Sequence, residues 1–262
     1  MTKLFSDQGL ERLQRVLGPR TLCAFDFDGT LSPIVPDPDA ARLPADIKER
    51  LEALARHAPI AIVTGRSLAD IGARVGFAPD FIIGNHGIEG LPGWELRAAG
   101  FRQDCLSWRR QLETMLADEP GLVLEDKAYS LSVHYRTAPD PDAAAERLQI
   151  RFALLQPAPR VVAGKFVFNL VPEHAPHKGD AVEALIAQCG AGGAIFAGDD
   201  VTDEDVFRLE RADLLSVRVE PLASSAAAVH LDSQQQMREL LDELTRRLRD
   251  CGARNWVRDA GA

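Results

Sequence analysis

Short, almost wholly apolar runs alternate with amphipathic stretches through the early part of the chain, the pattern of buried parallel strands feeding crossover helices. Residues 21–27 read as a buried strand. Residues 44–57 read as a helix, with Pro44 in the first turn and Ile47, Leu51 and Leu54 on one face. A strand at 60–63 follows, then a short helix capped by Ser67 and carrying Ile71 and Val75, then a strand at 81–83. The alternation returns as a helix at 178–189, a strand at 194–197, a helix at 203–210 and a strand at 214–219. The expected class is α/β, a Rossmann-like, doubly wound parallel sheet.

Between those blocks the periodicity changes. Residues 103–117 are helical in pattern, 122–124 and 129–135 look like paired strands, and 142–155 is helical again. A second hairpin, 161–162 with 166–171, turns at Gly164. This compact α+β unit is placed at residues 102–174, inserted into a core of residues 1–101 and 175–262.

Composition narrows the function. With 262 residues and 46% hydrophobic content the chain can bury a large core. Its longest apolar runs, such as 59–63, fall far short of the roughly 20 residues a membrane-spanning helix needs, and the N-terminus lacks a signal-like pattern. Cys23, Cys105, Cys189 and Cys251 are scattered without CxxC spacing, so neither zinc nor a disulfide framework is expected, and a reduced, cytoplasmic state is. A formal charge of −9 argues against a nucleic-acid partner. It also means that an anionic substrate needs local positive charge. A monomer or weak dimer with no membrane attachment is expected.

The sharpest chemical signal is Asp26-Phe27-Asp28-Gly29-Thr30 at a strand end. Ligands of open α/β sheets bind beyond the carboxyl ends of the strands, so Asp26 and Asp28 emerge at a site while Phe27 points elsewhere. Gly29 permits a sharp exit and close backbone approach to an anion. Taken alone, the acidic pair also fits a plain metal site or a turn. A second acidic cluster, Asp199 to Asp205 after the strand at 194–197, can complete an oxygen-rich magnesium shell, with Asp199 on the metal and Asp203 one layer out. The same acids suit a helix N-terminus. Thr64-Gly65-Arg66 offers a hydroxyl and backbone amides to phosphoryl oxygens, and is equally a turn and cap. Lys178 opens a helix, the unfavourable end for a cation, so a nearby anion explains it better. Together these residues describe phosphoryl transfer, with a metal and a lysine offsetting repulsion between an attacking carboxylate and phosphate. The absence of a Walker-type loop argues against an ATPase.

In this order, DxDGT, a threonine after the second strand, a lysine and a terminal acidic motif resemble the haloacid dehalogenase superfamily. The fuller strings resemble its trehalose-6-phosphate phosphatase family: Phe-Asp-Phe-Asp-Gly-Thr-Leu-Ser-Pro-Ile at 25–34, Thr-Gly-Arg at 64–66, Asn-His-Gly-Ile-Glu at 85–89, His-Tyr-Arg at 134–136, Gly164-Lys165, and Gly-Asp-Asp-Val-Thr-Asp-Glu at 198–204. The resemblance implies that the insertion is an α/β cap and that Asp26 attacks phosphorus to become an aspartyl phosphate. Asp28 would protonate the leaving sugar oxygen and then deprotonate the hydrolytic water. Mg2+ would be held by the Asp26 carboxylate, the Asp28 carbonyl and Asp199. Thr64 and Lys178 would hold the phosphoryl group, with Gly65, Arg66 and His86 among the substrate-binding residues. The implied reaction is hydrolysis of trehalose 6-phosphate to trehalose and phosphate; the alternatives are another sugar-phosphate phosphatase or a catalytically silent regulatory homologue.

On the cap, the resemblance implies that Glu125, Lys127, His134 and Arg136 read the sugar. Lys127 as a solvated side chain, and His134 with Arg136 as the outward face of an alternating strand, are the structural alternatives. By the same resemblance, Asn169 stands where the family usually has a glutamate. An amide hydrogen-bonds without charge, so affinity or the choice of sugar can differ.

Overall fold

The computed structural model describes residues 1–35 and 37–252, so the expected core segment at 253–262 lies outside the described residues. In chain order, β1 (Thr2–Lys3), α1 (Asp7–Val16), β2 (Thr21–Phe25), α2 (Ala45–Leu54), β3 (Ile60–Val63), α3 (Leu68–Val75) and β4 (Phe81–Ile83) come first. Next are α4 (Trp94–Met115), β5 (Val123–Asp126), β6 (Leu131–His134), α5 (Pro141–Phe152), β7 (Pro159–Gly164) and β8 (Val167–Pro172). Then α6 (Lys178–Cys189), β9 (Gly193–Gly198), α7 (Glu204–Phe207), β10 (Leu214–Val219), β11 (Val229–Leu231) and α8 (Met237–Asp250) follow. The chain divides into two units, one of Met1–Leu91 and the chain from His177 onward, the other of Pro92–Pro176.

The first unit is built on a seven-stranded parallel sheet in the order β1-β11-β10-β9-β2-β3-β4. Cys23 and Phe25 of β2 join a core with Ile47 and Leu51 of α2 and Leu240 and Leu244 of α8. Leu22 and Ala24, pointing the other way, join Val182 and Leu185 of α6 and Phe207 of α7. Burial on both faces is why these strands read as continuous apolar runs. The winding reverses between β2 and β9, which opens a crevice at their carboxyl ends.

Local hydrogen bonding shifts several expected boundaries. β2 ends at Phe25 rather than 27, because the Phe27 carbonyl accepts from the Ser32 amide at 2.8 Å and the Gly29 amide donates to the Ser32 carbonyl at 2.7 Å. Those backbone groups form a turn and leave the ladder. Pro44 sits at the N-cap, just ahead of α2. The helix expected at 203–210 is a 3-10 turn, Val201–Asp203, followed by the single α turn of α7. The Asp203 side chain reaches back to the Asp200 amide at 2.8 Å and tightens that start. Two helices were not anticipated, yet both are amphipathic in sequence. α8 buries Met237, Leu240, Leu241, Leu244 and Leu248 along one stripe, and Ser6 caps α1 by accepting from the Gly9 amide at 3.2 Å.

The second unit carries an antiparallel sheet in the order β5-β6-β8-β7. Trp108 and Leu112 of α4 and Leu148 and Phe152 of α5 pack on Leu131, Val133, Phe168 and Leu170. This unit starts at Pro92 rather than 102, because α4 begins at Trp94 and its buried stripe of Ala98, Cys105 and Trp108 runs past exposed Gly100. Among the described residues, no helix is long and apolar enough to cross a membrane.

Candidate active site

The Asp26 amide donates to the Ala197 carbonyl at 2.9 Å, carrying the parallel pairing one residue past the end of β2. That bond sets the Asp26 carboxylate in the crevice at the switch point. Lys178, the first residue of α6, is wholly inside: its Nζ donates to Asp26 Oδ1 at 2.8 Å and to Asp203 Oδ1 at 2.7 Å. The helix start that carries it is fixed by reciprocal bonds, from the His177 amide to Asp180 Oδ2 at 2.8 Å and from the Asp180 amide to His177 Nδ1 at 3.2 Å. Asp199 Oδ1 accepts from the Thr30 hydroxyl at 3.0 Å. One oxygen from each of Asp26, Asp199 and Asp203 lies within 4.8 Å of the others. Gly29 makes this crowding possible: its φ is +83°, and a Cβ there would lie 2.1 Å from Asp199 Oδ2.

The electrostatics follow from three carboxylates sharing one ammonium. Burial pushes the Asp26 carboxyl well above its usual range, with Lys178 opposing and Asp203 and Asp199 adding to the rise. Burial, then the neighbouring Asp203, pushes Asp199 up to about 7. Asp203 is also raised by burial, against the pull of Lys178. Burial alone would favour a neutral Lys178, but Asp203 and Asp26 outweigh it and hold its proton firmly. The excess of negative charge and the all-oxygen donor set fit a hard divalent cation.

Thr64 is buried at the end of β3, its amide donating to the Ile83 carbonyl at 2.9 Å and its Oγ1 accepting from the Arg66 amide at 3.2 Å. Gly65 lies against the imidazole of buried His86, where a Cβ would approach the ring to 2.4 Å. Arg66, expected among the substrate-binding residues, has its guanidinium engaged by carboxylates. Its Nε and Nη2 donate to the two oxygens of Asp28 at 2.6 and 2.7 Å, and its Nη1 donates to Asp70 at 2.7 Å.

Sequence reasoning passed over Asp70 and Arg218, and named Thr30, Glu89 and Glu204 only within their motifs. Arg218 on β10 donates to the Asp199 carbonyl at 2.6 Å and pairs with Glu204 at 3.3 Å, which accepts from the Ala226 amide at 2.9 Å. These contacts anchor the acidic loop after β9. Glu89 accepts from Asn85 Nδ2 at 2.7 Å and from the Leu68 amide at 3.0 Å. Arg218 had a legible signal, a cation inside the mostly apolar Leu214–Val219 strand, since a buried charge needs partners.

In the second unit, Glu125, Ser132 and Asn169 are opposite one another across three strands. Asn169 Oδ1 accepts from the buried Ser132 hydroxyl at 2.7 Å. Glu125 Oε2 meets His134 Nε2 at 2.8 Å and Lys127 Nζ at 3.9 Å. Arg136 departs from the strand alternation: β6 ends at His134, and the Arg136 guanidinium lies over the Phe166 ring at 5.8 Å.

A sequence profile for trehalose-phosphatase matches residues 24–239. The chain is 34% identical over 258 aligned residues to a trehalose-phosphate phosphatase of Mycobacterium tuberculosis, covering 88% of this chain and 62% of that one. It is 33% identical to the Mycobacterium leprae trehalose-phosphate phosphatase, with 86% and 58% covered. The chain thus spans about three fifths of the length of these curated relatives. In fold it is similar to the C-terminal domain of a Candida albicans trehalose-6-phosphate phosphatase, with a TM-score of 0.76, 24% identity, and 94% and 99% of the two chains covered.

Proposed function

We propose that this chain, which belongs to the trehalose-phosphatase family, hydrolyses trehalose 6-phosphate to trehalose and inorganic phosphate with the aid of Mg2+. The observation that carries the reading is Lys178 bridging Asp26 and Asp203 with Asp199 alongside. It supplies a nucleophilic carboxylate whose repulsion toward phosphate is offset. Asp26 attacks phosphorus in line as the bond to the sugar oxygen breaks, and Asp28 gives that oxygen a proton. Asp28 then takes a proton from water, which attacks the aspartyl phosphate and releases phosphate. Thr64 and Lys178 hold the phosphoryl oxygens. The Asp26 carboxylate, the Asp28 carbonyl and Asp199 would hold Mg2+, which when bound neutralises phosphoryl charge. Glu125, Lys127, His134, Arg136 and Asn169 would read the sugar.

A second reading, another sugar phosphate, is favoured by one observation. Asn169 brings an uncharged amide to its position and engages Ser132 with it. Phosphate release should be measured over trehalose 6-phosphate, sucrose and mannosyl phosphates and glucose 6-phosphate, with Mg2+ and with a chelator. Trehalose 6-phosphate is expected to be the best substrate, with release abolished by the chelator. A clear preference for another sugar would replace the substrate, and no release from any of them would remove the reaction.

A pH dependence of stability also follows. Asp199 is raised in the metal-free fold to about 7 from an ordinary value of 3.8. Between those values the folded state holds a proton that the unfolded chain has lost, so stability falls as pH rises through that window. Mg2+ needs the ionised carboxylates and therefore stabilises most above it. Chelated protein is expected to melt higher near pH 6 than near pH 8, and Mg2+ to raise the melting temperature more near pH 8. Equal shifts at both would contradict the assignment of Asp199 to the metal.

A further inference from the structure

We propose that Arg66 is a positioning residue for Asp28 and not a ligand of the substrate phosphate. The inference rests on the reading that Asp28 serves the leaving oxygen. All three guanidinium nitrogens donate to carboxylates: Nε and Nη2 form a fork on Asp28, and Nη1 is held by Asp70. The two parallel bonds to Asp28 set the plane of its carboxylate as well as its place. That matters because the Asp28 side chain is 38% exposed, whereas Arg66 is 12% exposed and so far better confined.

Arg66 is itself braced from two sides. Its guanidinium carbon lies 5.9 Å from the centre of the Phe27 ring, and Phe27 is fully buried in the core. Behind it, Asp70 accepts from Arg74 Nε at 2.8 Å, and Arg74 Nη1 donates to the carbonyls of Asp39 at 2.9 Å and Ala41 at 3.2 Å. The chain from Arg74 through Asp70 and Arg66 therefore ends on Asp28. Turning Arg66 toward a phosphate would take the forked cation from Asp28 and one of the two arginines from Asp70.

The consequence concerns proton delivery. A sugar alkoxide is a strong base and leaves poorly without a proton, whereas 4-nitrophenolate is a weak base and leaves without one. Because kcat/KM covers events up to departure of the leaving group, it separates the two roles. Arg66→Gln is expected to lower kcat/KM for trehalose 6-phosphate about 100-fold, at the lower end of what a positioned general acid contributes, and for 4-nitrophenyl phosphate by less than about 5-fold. Arg66→Lys keeps the charge but loses the fork, and should recover only part of the sugar-phosphate rate. Asp70→Asn, one contact further back, should show the same selectivity with a smaller loss. Inorganic phosphate should inhibit wild type and Arg66→Gln alike.

Equal losses on both substrates, with weaker inhibition by inorganic phosphate, would make Arg66 a phosphate ligand and overturn the proposal. Unchanged kinetics in Arg66→Gln would overturn it as well. Wild-type protein that hydrolysed a different alkyl phosphate in place of trehalose 6-phosphate would correct the substrate assigned above. The Arg66 comparison would then be run on that alkyl phosphate, with the same outcomes deciding it.

Discussion

Asp26→Asn is expected to abolish phosphate release, lowering kcat by about 10⁴-fold or more, because an amide oxygen cannot take the place of an attacking carboxylate. The fold should survive. Asparagine matches aspartate in shape and can still accept from Lys178, which now contacts Asp26 Oδ1 at 2.8 Å. It also removes one negative charge from a buried group of three, and burial is already the main influence opposing ionisation of Asp26. A melting temperature at or above that of wild type is therefore expected for the metal-free variant, together with loss of any phosphate-labelled enzyme in acid-quenched turnover. Wild-type release from this variant would remove Asp26 from the mechanism.

Lys178→Met is expected to damage both activity and stability, which distinguishes it from Asp26→Asn. Methionine fills the volume of a side chain that is 2% exposed, so the effect isolates the charge. Two carboxylates lose their shared partner at 2.8 and 2.7 Å. Breaking a buried ion pair by removing one member costs about 3–5 kcal/mol, or about 10 °C in melting temperature for a chain of this size. The loss should be largest in alkaline buffer and smaller in acid, where Asp26 and Asp203, both raised by burial, take up protons and cease to repel. Removing one donor to transition-state charge should lower kcat by about 10²–10³-fold. A variant that melts like wild type in alkaline buffer would mean that Lys178 does not neutralise the pair.

Much of this arrangement is legible in sequence because it is local. The strands at Ile60–Val63, Phe81–Ile83 and Leu214–Val219 and the helix at Lys178–Cys189 follow from apolar period and flanking punctuation. The acidic residues at the ends of β2 and β9 are legible for the same reason, since an open parallel sheet delivers its strand ends to one edge. The amphipathic α1 and α8 carried as clear a signal, in Ser6 before the first and in the leucine stripe of the second. The start of α4 did not, because Gly100 weakens the local helical pattern that burial of Ala98 and Trp108 restores.

By itself, then, the sequence determined the α/β class, the family, and which residue types stand at the ends of β2, β3 and β9. Only the tertiary structure decided whom the charges serve. Lys178 meets two carboxylates from widely separated parts of the chain, Arg218 holds the carbonyl of Asp199, and Arg66 closes on Asp28. Asn169 has the Ser132 hydroxyl of the neighbouring strand as a partner. Local structure is written in the spacing of neighbours along the chain. The direction of a guanidinium or an amide is set by which opposite group lies within about 3 Å after folding, and sequence separation carries no information about that distance.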